Sequence, residues 1–197
     1  MTTKIIHISD IHCNNKMLEK IKELDYDVLI SSGDFECLET AEIFSEFRNS
    51  FAVSGNVDDV SIMKLLSKKG ILLDGKIKTV NEIAFIGIGG IDPINNISVI
   101  KNYPFNKKYK YVILVSHNPP YGILDKTFFN IRAGLKEINS ILNYIKPSIH
   151  LFGHIHESQG IQLLNNTIYI NPGPLDIGNY AEIILDDSIK AEIKNLS

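Results

Sequence analysis

Short apolar runs separated by polar, glycine-marked stretches set the rhythm of this chain. Runs at 4–9, 27–32 and 50–54 read as buried strands, and apolar positions at about 15–24, 40–49 and 59–69 recur with helical spacing. Strands alternating with helices are the grammar of a mainly parallel sheet. After Gly70 the pattern changes. Residues 71–73, 76–81 and 83–88 read as short strands, with Asn81-Glu82 as a hairpin turn. Strand 110–116 then leads into a loop over 118–134, a helix over about 135–146 and a strand over 148–152. The tail at 160–164, 167–170, 180–186 and 189–195 reads as a meander, punctuated by Asn165-Asn166 and Asp186-Asp187. Helices border both ends of the series, so an α/β protein of two packed mixed sheets flanked by helices is expected. No repeat, low-complexity tract or linker interrupts 1–197, which reads as one domain.

The polar residues that close these runs carry the chemistry. Asp10 and His12, then Asp34, Asn56, His117, and finally His154 and His156 follow one another at strand ends. Asp34, Asn56 and His154 each follow a glycine, which lets the backbone turn sharply and brings the next side chain to the sheet edge. Open α/β sheets place ligands outside the carboxyl ends of their strands, where all five clusters fall. Two carboxylates, one carboxamide and four imidazoles suit two divalent transition metals, because imidazole favours such ions and a carboxylate can bridge a pair. A structural zinc needs only four donors.

This set resembles the calcineurin-like metallophosphoesterases, whose pattern runs Asp-x-His, Gly-Asp, Gly-Asn-His-Asp/Glu, His, Gly-His-x-His. Here it reads Asp10-Ile11-His12, Gly33-Asp34, Gly55-Asn56-Val57-Asp58, His117 and Gly153-His154-Ile155-His156, spanning residue 4 to about 185. The blocks His117-Asn118-Pro119-Pro120-Tyr121-Gly122 and Asn171-Pro172-Gly173-Pro174 look like the small phosphoesterases related to the bacterial cyclic-nucleotide phosphodiesterase group. The resemblance implies a four-layer αββα sandwich. It also implies one metal on Asp10, His12, Asp34 and His156 and another on Asp34, Asn56, His117 and His154, with Asp34 bridging. The metals would be Mn, Fe, Zn or Ni, and Asp10, Asp34, Asn56 and His117 count among the catalytic residues. Metals about 3.5–4 Å apart would activate a bridging hydroxide for in-line attack on a phosphoester. One position departs from the pattern: Val57 stands where the family has a histidine that protonates the leaving group or steadies the phosphate. A phosphodiester with a good leaving group is therefore favoured over a monoester. Asp58, without that imidazole to orient, is expected to cap the helix that starts near Asp59.

Composition narrows the rest. The chain has 197 residues, 44% of them hydrophobic and 22% charged, enough for a substantial core. A net charge of −3 gives no general attraction to nucleic acid or anionic lipid. No apolar run approaches the roughly 20 residues needed to span a bilayer, and Met1 runs almost directly into the first strand, so a cytoplasmic protein is expected. Cys13 and Cys37 are the only cysteines and are read as two reduced small residues near the sheet edge. The alternative is a thiol pair that modulates the metals on oxidation.

Several features stay open at this level. His7 and His150 read as core histidines with partners of their own, or as supports for a metal ligand. Gly87-Ile88-Gly89-Gly90 lacks the full dinucleotide fingerprint and reads as a turn beside the cleft. The segment 101–110 interleaves bases with aromatics, as nucleic-acid surfaces do, and equally as a solvated approach to strand 110–116 does. Arg132 is one of two arginines, and its fork suits a phosphate oxygen, although an exposed loop arginine fits the position equally well. Asn118 and Tyr121, beside His117, are further candidates for substrate contact. A phosphoesterase acting on a small phosphoester is the first reading; a non-catalytic scaffold on the same fold and a nuclease are the alternatives. A homo-oligomer is compatible with the sequence, and a membrane or nucleic-acid partner is not expected.

Overall fold

Ile5, Ile6 and Ile8 are fully buried on both faces of the first strand, β1 (Thr3–Ile8), because the strand lies mid-sheet between helices on one side and a second sheet on the other. The structure is a computed structural model that describes residues 2–103 and 109–196. In chain order the elements are β1, α1 (Asn15–Lys20), β2 (Val28–Ser31), α2 (Leu38–Ser45), β3 (Ser50–Ala52), α3 (Val60–Lys68), β4 (Ile77–Val80), β5 (Ile83–Ile88), α4 (Pro93–Lys101), β6 (Tyr111–Ser116), α5 (Lys136–Ile145), β7 (Ile149–Leu151), β8 (Gly160–Leu164), β9 (Thr167–Asn171), β10 (Asn179–Leu185) and β11 (Ile189–Asn195).

One sheet runs β11-β10-β1-β2-β3 and the other β4-β5-β6-β7-β9-β8. In the first sheet β1, β2 and β3 run parallel out to the β3 edge, with β10 and β11 antiparallel on the other side; in the second β5, β6, β7 and β9 are parallel and both edge strands, β4 and β8, antiparallel. Three apolar clusters define the layers. One, with Leu18, Phe35, Phe44 and Leu66, lies between the first sheet and α1–α3. A second, with Ile5, Ile30, Phe85, Val115 and Ile183, lies between the sheets. The third, with Ile97, Ile100, Ile138, Ile141 and Phe152, lies between the second sheet and α4 with α5. Helices, sheet, sheet and helices therefore stack as the expected four layers.

Two expectations need correction. Residues 71–73 form no strand: the segment makes single bridges, Leu72 to Ala52 of β3 and Asp74 to Gly87 of β5, and so stitches the two sheets at one edge. Helix α4 has no counterpart in the elements expected from the apolar pattern. Its start signals are present, since the Asp92 side chain accepts from Asn95 N at 3.1 Å and Pro93 occupies the first turn. Only Ile97, Ile100 and Asn96 are buried along it, too few apolar positions for a clear helical period. Residues 104–108 of the basic and aromatic segment lie outside the described residues. Among the described residues, no helix is long and apolar enough to cross a membrane.

Candidate metal centre

Every cluster of donors leaves the carboxyl end of a parallel strand, and in three of the five the backbone is bent into an uncommon conformation. Asp10 (φ 54°), His12 (φ 47°), Asp34 (φ 60°) and His154 (φ 67°) all occupy the left-handed region, which L-residues adopt only when surrounding contacts enforce it. The enforcing contacts are visible. Asp10, Ile11 and His12 donate their amides to the carbonyls of Gly33 and Asp34 at 3.0–3.1 Å, lacing the first two loops together. Asp58 accepts from the amides of Phe35 (2.7 Å), Glu36 (2.9 Å) and Asp34 (3.1 Å), and from Gly55 (2.7 Å). Two glycines permit the close approach: a Cβ on Gly55 would collide with Asp34 Oδ1, and one on Gly153 would collide with Ser9 Oγ.

The loops deliver the donors in two adjacent groups. Asp34, His117 and His154 form a group that could hold a metal ion, and Asn56 Oδ1 joins it 2.7 Å from His117 Nε2. His117 Nδ1 lies 2.8 Å from the Ser32 carbonyl, which can only accept, so Nδ1 carries the proton and Nε2 presents a lone pair. That lone pair faces the Asn56 carboxamide oxygen, Asp34 Oδ2 at 3.5 Å and His154 Nδ1 at 3.1 Å. Acceptors converging on one point are the arrangement that a cation resolves.

Asp10, His12 and His156 form the outer group. His12 Nδ1 donates to Glu36 Oε2 at 3.0 Å, which turns Nε2 inward. His12 Nε2 and Asp10 Oδ1 are both buried without a hydrogen-bond partner, although His156 Nε2 lies 3.1 Å from that oxygen. Buried polar atoms without a partner are costly and rare, and a group of donors gathered around one point could hold a cation. The donor set thus fits divalent metals in both groups.

Charge in the site follows the same geometry. Burial opposes ionisation of Asp10, but the imidazoles of His156 and His117 and the Ser9 hydroxyl outweigh it and hold the carboxyl down to about 2. The neighbouring Asp10 carboxylate raises the His156 imidazole above its ordinary value, and burial together with His117 lowers that of His154. Asp34 contributes to the field at both His154 and His156, so the two groups are electrostatically contiguous.

The structure brings together all seven donors read from the sequence. The substrate-contact candidates are placed differently. Arg132 Nη1 lies 2.6 Å from Asp125 Oδ1, and Asp125, buried, also accepts from the amides of Gly122 and Gly134. The arginine therefore closes its own loop. Tyr121 lies under the Arg132 and Lys136 cations, and Asn118, half-buried, follows His117. Val57 is 42% exposed, and its amide donates to Asp34 Oδ1 at 3.2 Å. Gly90 lies against the site, where an added Cβ would sit 2.8 Å from His117 Cδ2, so the glycine turn does border the cleft.

Two readings are corrected by the structure. Asp58 caps no helix; Asp59 does, accepting from Ser61 and Ile62, while Asp58 organises the Asp34 loop. Cys13 and Cys37 are not free thiols but a disulfide, with Cα atoms 5.3 Å apart. Glu36, Ser9 and Ser32 support the ligands without having stood out in the sequence, since short side chains and carbonyls at strand ends carry no distinguishing signal there. His7 and His150 sit deep in the core, bonded to Ser32 Oγ (2.9 Å) and Ser116 Oγ (2.8 Å). Asn171 Nδ2 donates to Ile155 O, and the amides of Leu175 and Asp176 donate to the carbonyls of Ser9 and Asp10, so the Asn-Pro-Gly-Pro block and the two residues after it brace both outer loops.

Residues 3–183 match the calcineurin-like phosphoesterase superfamily domain. The chain belongs to that superfamily. An uncharacterised protein of Methanocaldococcus jannaschii, MJ1162, is 32% identical over 93% of this chain and 96% of its own length. Among solved structures, TT1561 of Thermus thermophilus matches with a TM-score of 0.72 at 16% identity, over 100% of both chains. A structure described as a novel archaeal phosphodiesterase matches with a TM-score of 0.61 at 16% identity, over 97% of this chain and 99% of its own. At these identities the structural likeness speaks for the calcineurin-like phosphoesterase fold, and the donor set is argued from this chain.

Proposed function

We propose that this calcineurin-like phosphoesterase binds two divalent cations, of the Mn, Fe, Zn or Ni type, and hydrolyses a small phosphodiester. The observation that carries the reading is the pair of adjacent donor groups, in which carboxylate, carboxamide and imidazole atoms face one another at ligand spacing. Bound there, the cations would supply a nucleophile drawn from water at neutral pH and a clamp for the phosphate oxygens.

The chain's own residues do the rest. Glu36 and the Ser32 carbonyl accept from Nδ1 of His12 and His117, which turns each Nε2 toward its donor group. Asp34, buried with His117 and His154, is the carboxylate that would serve both ions if the family's arrangement holds here. Asp10, whose carboxyl the His156 and His117 imidazoles and the Ser9 hydroxyl hold down against burial, supplies a carboxylate to the outer position. Val57 has no proton to give, so the leaving alcohol must depart without one from that position, which favours a diester with a good leaving group. Asn118 and Tyr121 border the approach to His117; Arg132 acts there through the shape of its loop.

The test is metal content and turnover together. Purified protein should carry two equivalents of transition metal and hydrolyse nitrophenyl-type phosphodiesters faster than the matching monoesters. Asp34→Ala should empty both positions by elemental analysis. Two tightly held metals in that variant would remove Asp34 from its bridging role.

A further inference from the structure

The outer donor group rests on a covalent frame that the inner group lacks. His12 is followed directly by Cys13 and Glu36 by Cys37, and the disulfide joins the two loops one residue beyond the His12–Glu36 contact. His12 (φ 47°), Cys13 (φ 62°) and Glu36 (φ 65°) are all left-handed, and the disulfide adds a covalent restraint to the amide contacts that hold them at Asp34, Phe35 and Asp58. The Glu36 side chain is half exposed, and an exposed ion pair alone fixes geometry weakly. In the inner group His117 is held by the buried Ser32 carbonyl, with no covalent link, while Asp58 braces the loop of Asp34 and Glu36 alike.

We infer that Glu36 is a positioning residue for His12, and that the Cys13–Cys37 disulfide holds the pair in register, so that cation occupancy of the Asp10–His12–His156 position depends on thiol–disulfide exchange. The inference rests on the metal-centre reading. Both cysteines are half-buried, within reach of a small reductant. A thiolate of a dithiol reductant attacks one sulfur, and its second thiol then resolves the mixed disulfide. Cys13 and Cys37 leave with two electrons and two protons, and the reductant closes its own disulfide. Freed of the link, the strained turns relax, Glu36 leaves His12, and Nε2 of His12 is no longer held toward Asp10. In a reducing compartment the outer position is the weaker one; under oxidation both fill.

The test is a Mn2+ titration of metal-free protein by calorimetry, in the oxidised state and after anaerobic reduction with dithiothreitol and desalting. His156→Ala identifies which isotherm belongs to the outer position. Reduction should weaken that position by about 10-fold or more, the range seen when a ligand loses its outer partner, and leave the inner one unchanged. Cys13→Ser/Cys37→Ser should match reduced wild type and be indifferent to the reductant, giving a second route to the open frame. Glu36→Gln, which keeps an acceptor oxygen, should retain most of the outer affinity that Glu36→Ala loses. Two cations bound with equal affinities in both redox states would overturn this inference alone. A chain that takes up no cation in either state would overturn the metal-centre reading and this inference with it.

Discussion

Asp58 shows how one residue organises a site it does not enter. Its two oxygens receive four backbone amides, from Asp34, Phe35, Glu36 and Gly55, and these set the direction of the loop that carries Asp34. Hydrogen bonds to a charged acceptor are stronger than neutral ones, and donors left buried and unpaired cost more still. Asp58→Ala is therefore expected to lower stability by about 3–5 kcal/mol in urea unfolding and to strip metal, although the residue is no ligand. Unchanged stability and metal content would mean that the laced loops of Asp10 and Gly33 suffice. The seven donors were legible in the sequence because their chemistry lies in residue identity and order. The role of Asp58 was not, because its acceptance from residues 22–24 positions away is a tertiary fact, and the adjacent Asp59 supplies the helix cap that the local pattern announces. Glu36 was hidden for the same reason: an exposed glutamate in a turn looks like any solvated charge until His12 is seen beside it.

At the scale of elements, the parallel strands and their flanking helices followed from apolar periodicity, and the departures have local causes. Helix α4 buries only two isoleucines and Asn96, whose side chain accepts from Gly89 N at 2.7 Å instead of pointing to solvent. The 71–73 run is apolar because it fills the edge between two sheets, not because it pairs along a strand. The loop before α5 contains a tight hairpin in which Thr127 N donates to Ile131 O at 2.9 Å, and Lys126 pairs with Ser158 Oγ, two residues beyond His156. Asp125 is the anchor of that loop and Arg132 its counter-charge. Arg132→Ala leaves a buried carboxylate with amide donors only and should cost about 1–3 kcal/mol in chemical unfolding, with metal content intact. Arg132→Lys should recover part of the loss, since a point charge reaches Asp125 without the planar fork. An alanine variant as stable as wild type would show that the ion pair is not what closes the loop.

Across the whole molecule, the two-sheet sandwich places an ionisable pair at its centre as well as the donors at its rim. Burial holds His7 and His150 neutral in the folded chain, with each imidazole lowered to about 3. In the unfolded chain both titrate near 6.5, so between about 6.5 and 3 the unfolded state binds more protons and stability falls as pH falls. Metal-free protein should lose several kcal/mol in total across that window, read as melting temperature against pH. His7→Gln/His150→Gln should show a shallower slope; an unchanged slope would place the acid sensitivity elsewhere. The sandwich also explains why all seven donors meet: parallel strands in both sheets end at the same face, and each ends in a loop that carries part of the set. The central claim is that these donors hold two cations that act together on a phosphodiester. It is tested most directly by adding Mn2+ stepwise to metal-free protein and following bis(4-nitrophenyl) phosphate hydrolysis at each occupancy. The account predicts little turnover with the first equivalent and full turnover as the second position fills. Full activity with one cation, or none with both positions filled, would contradict it.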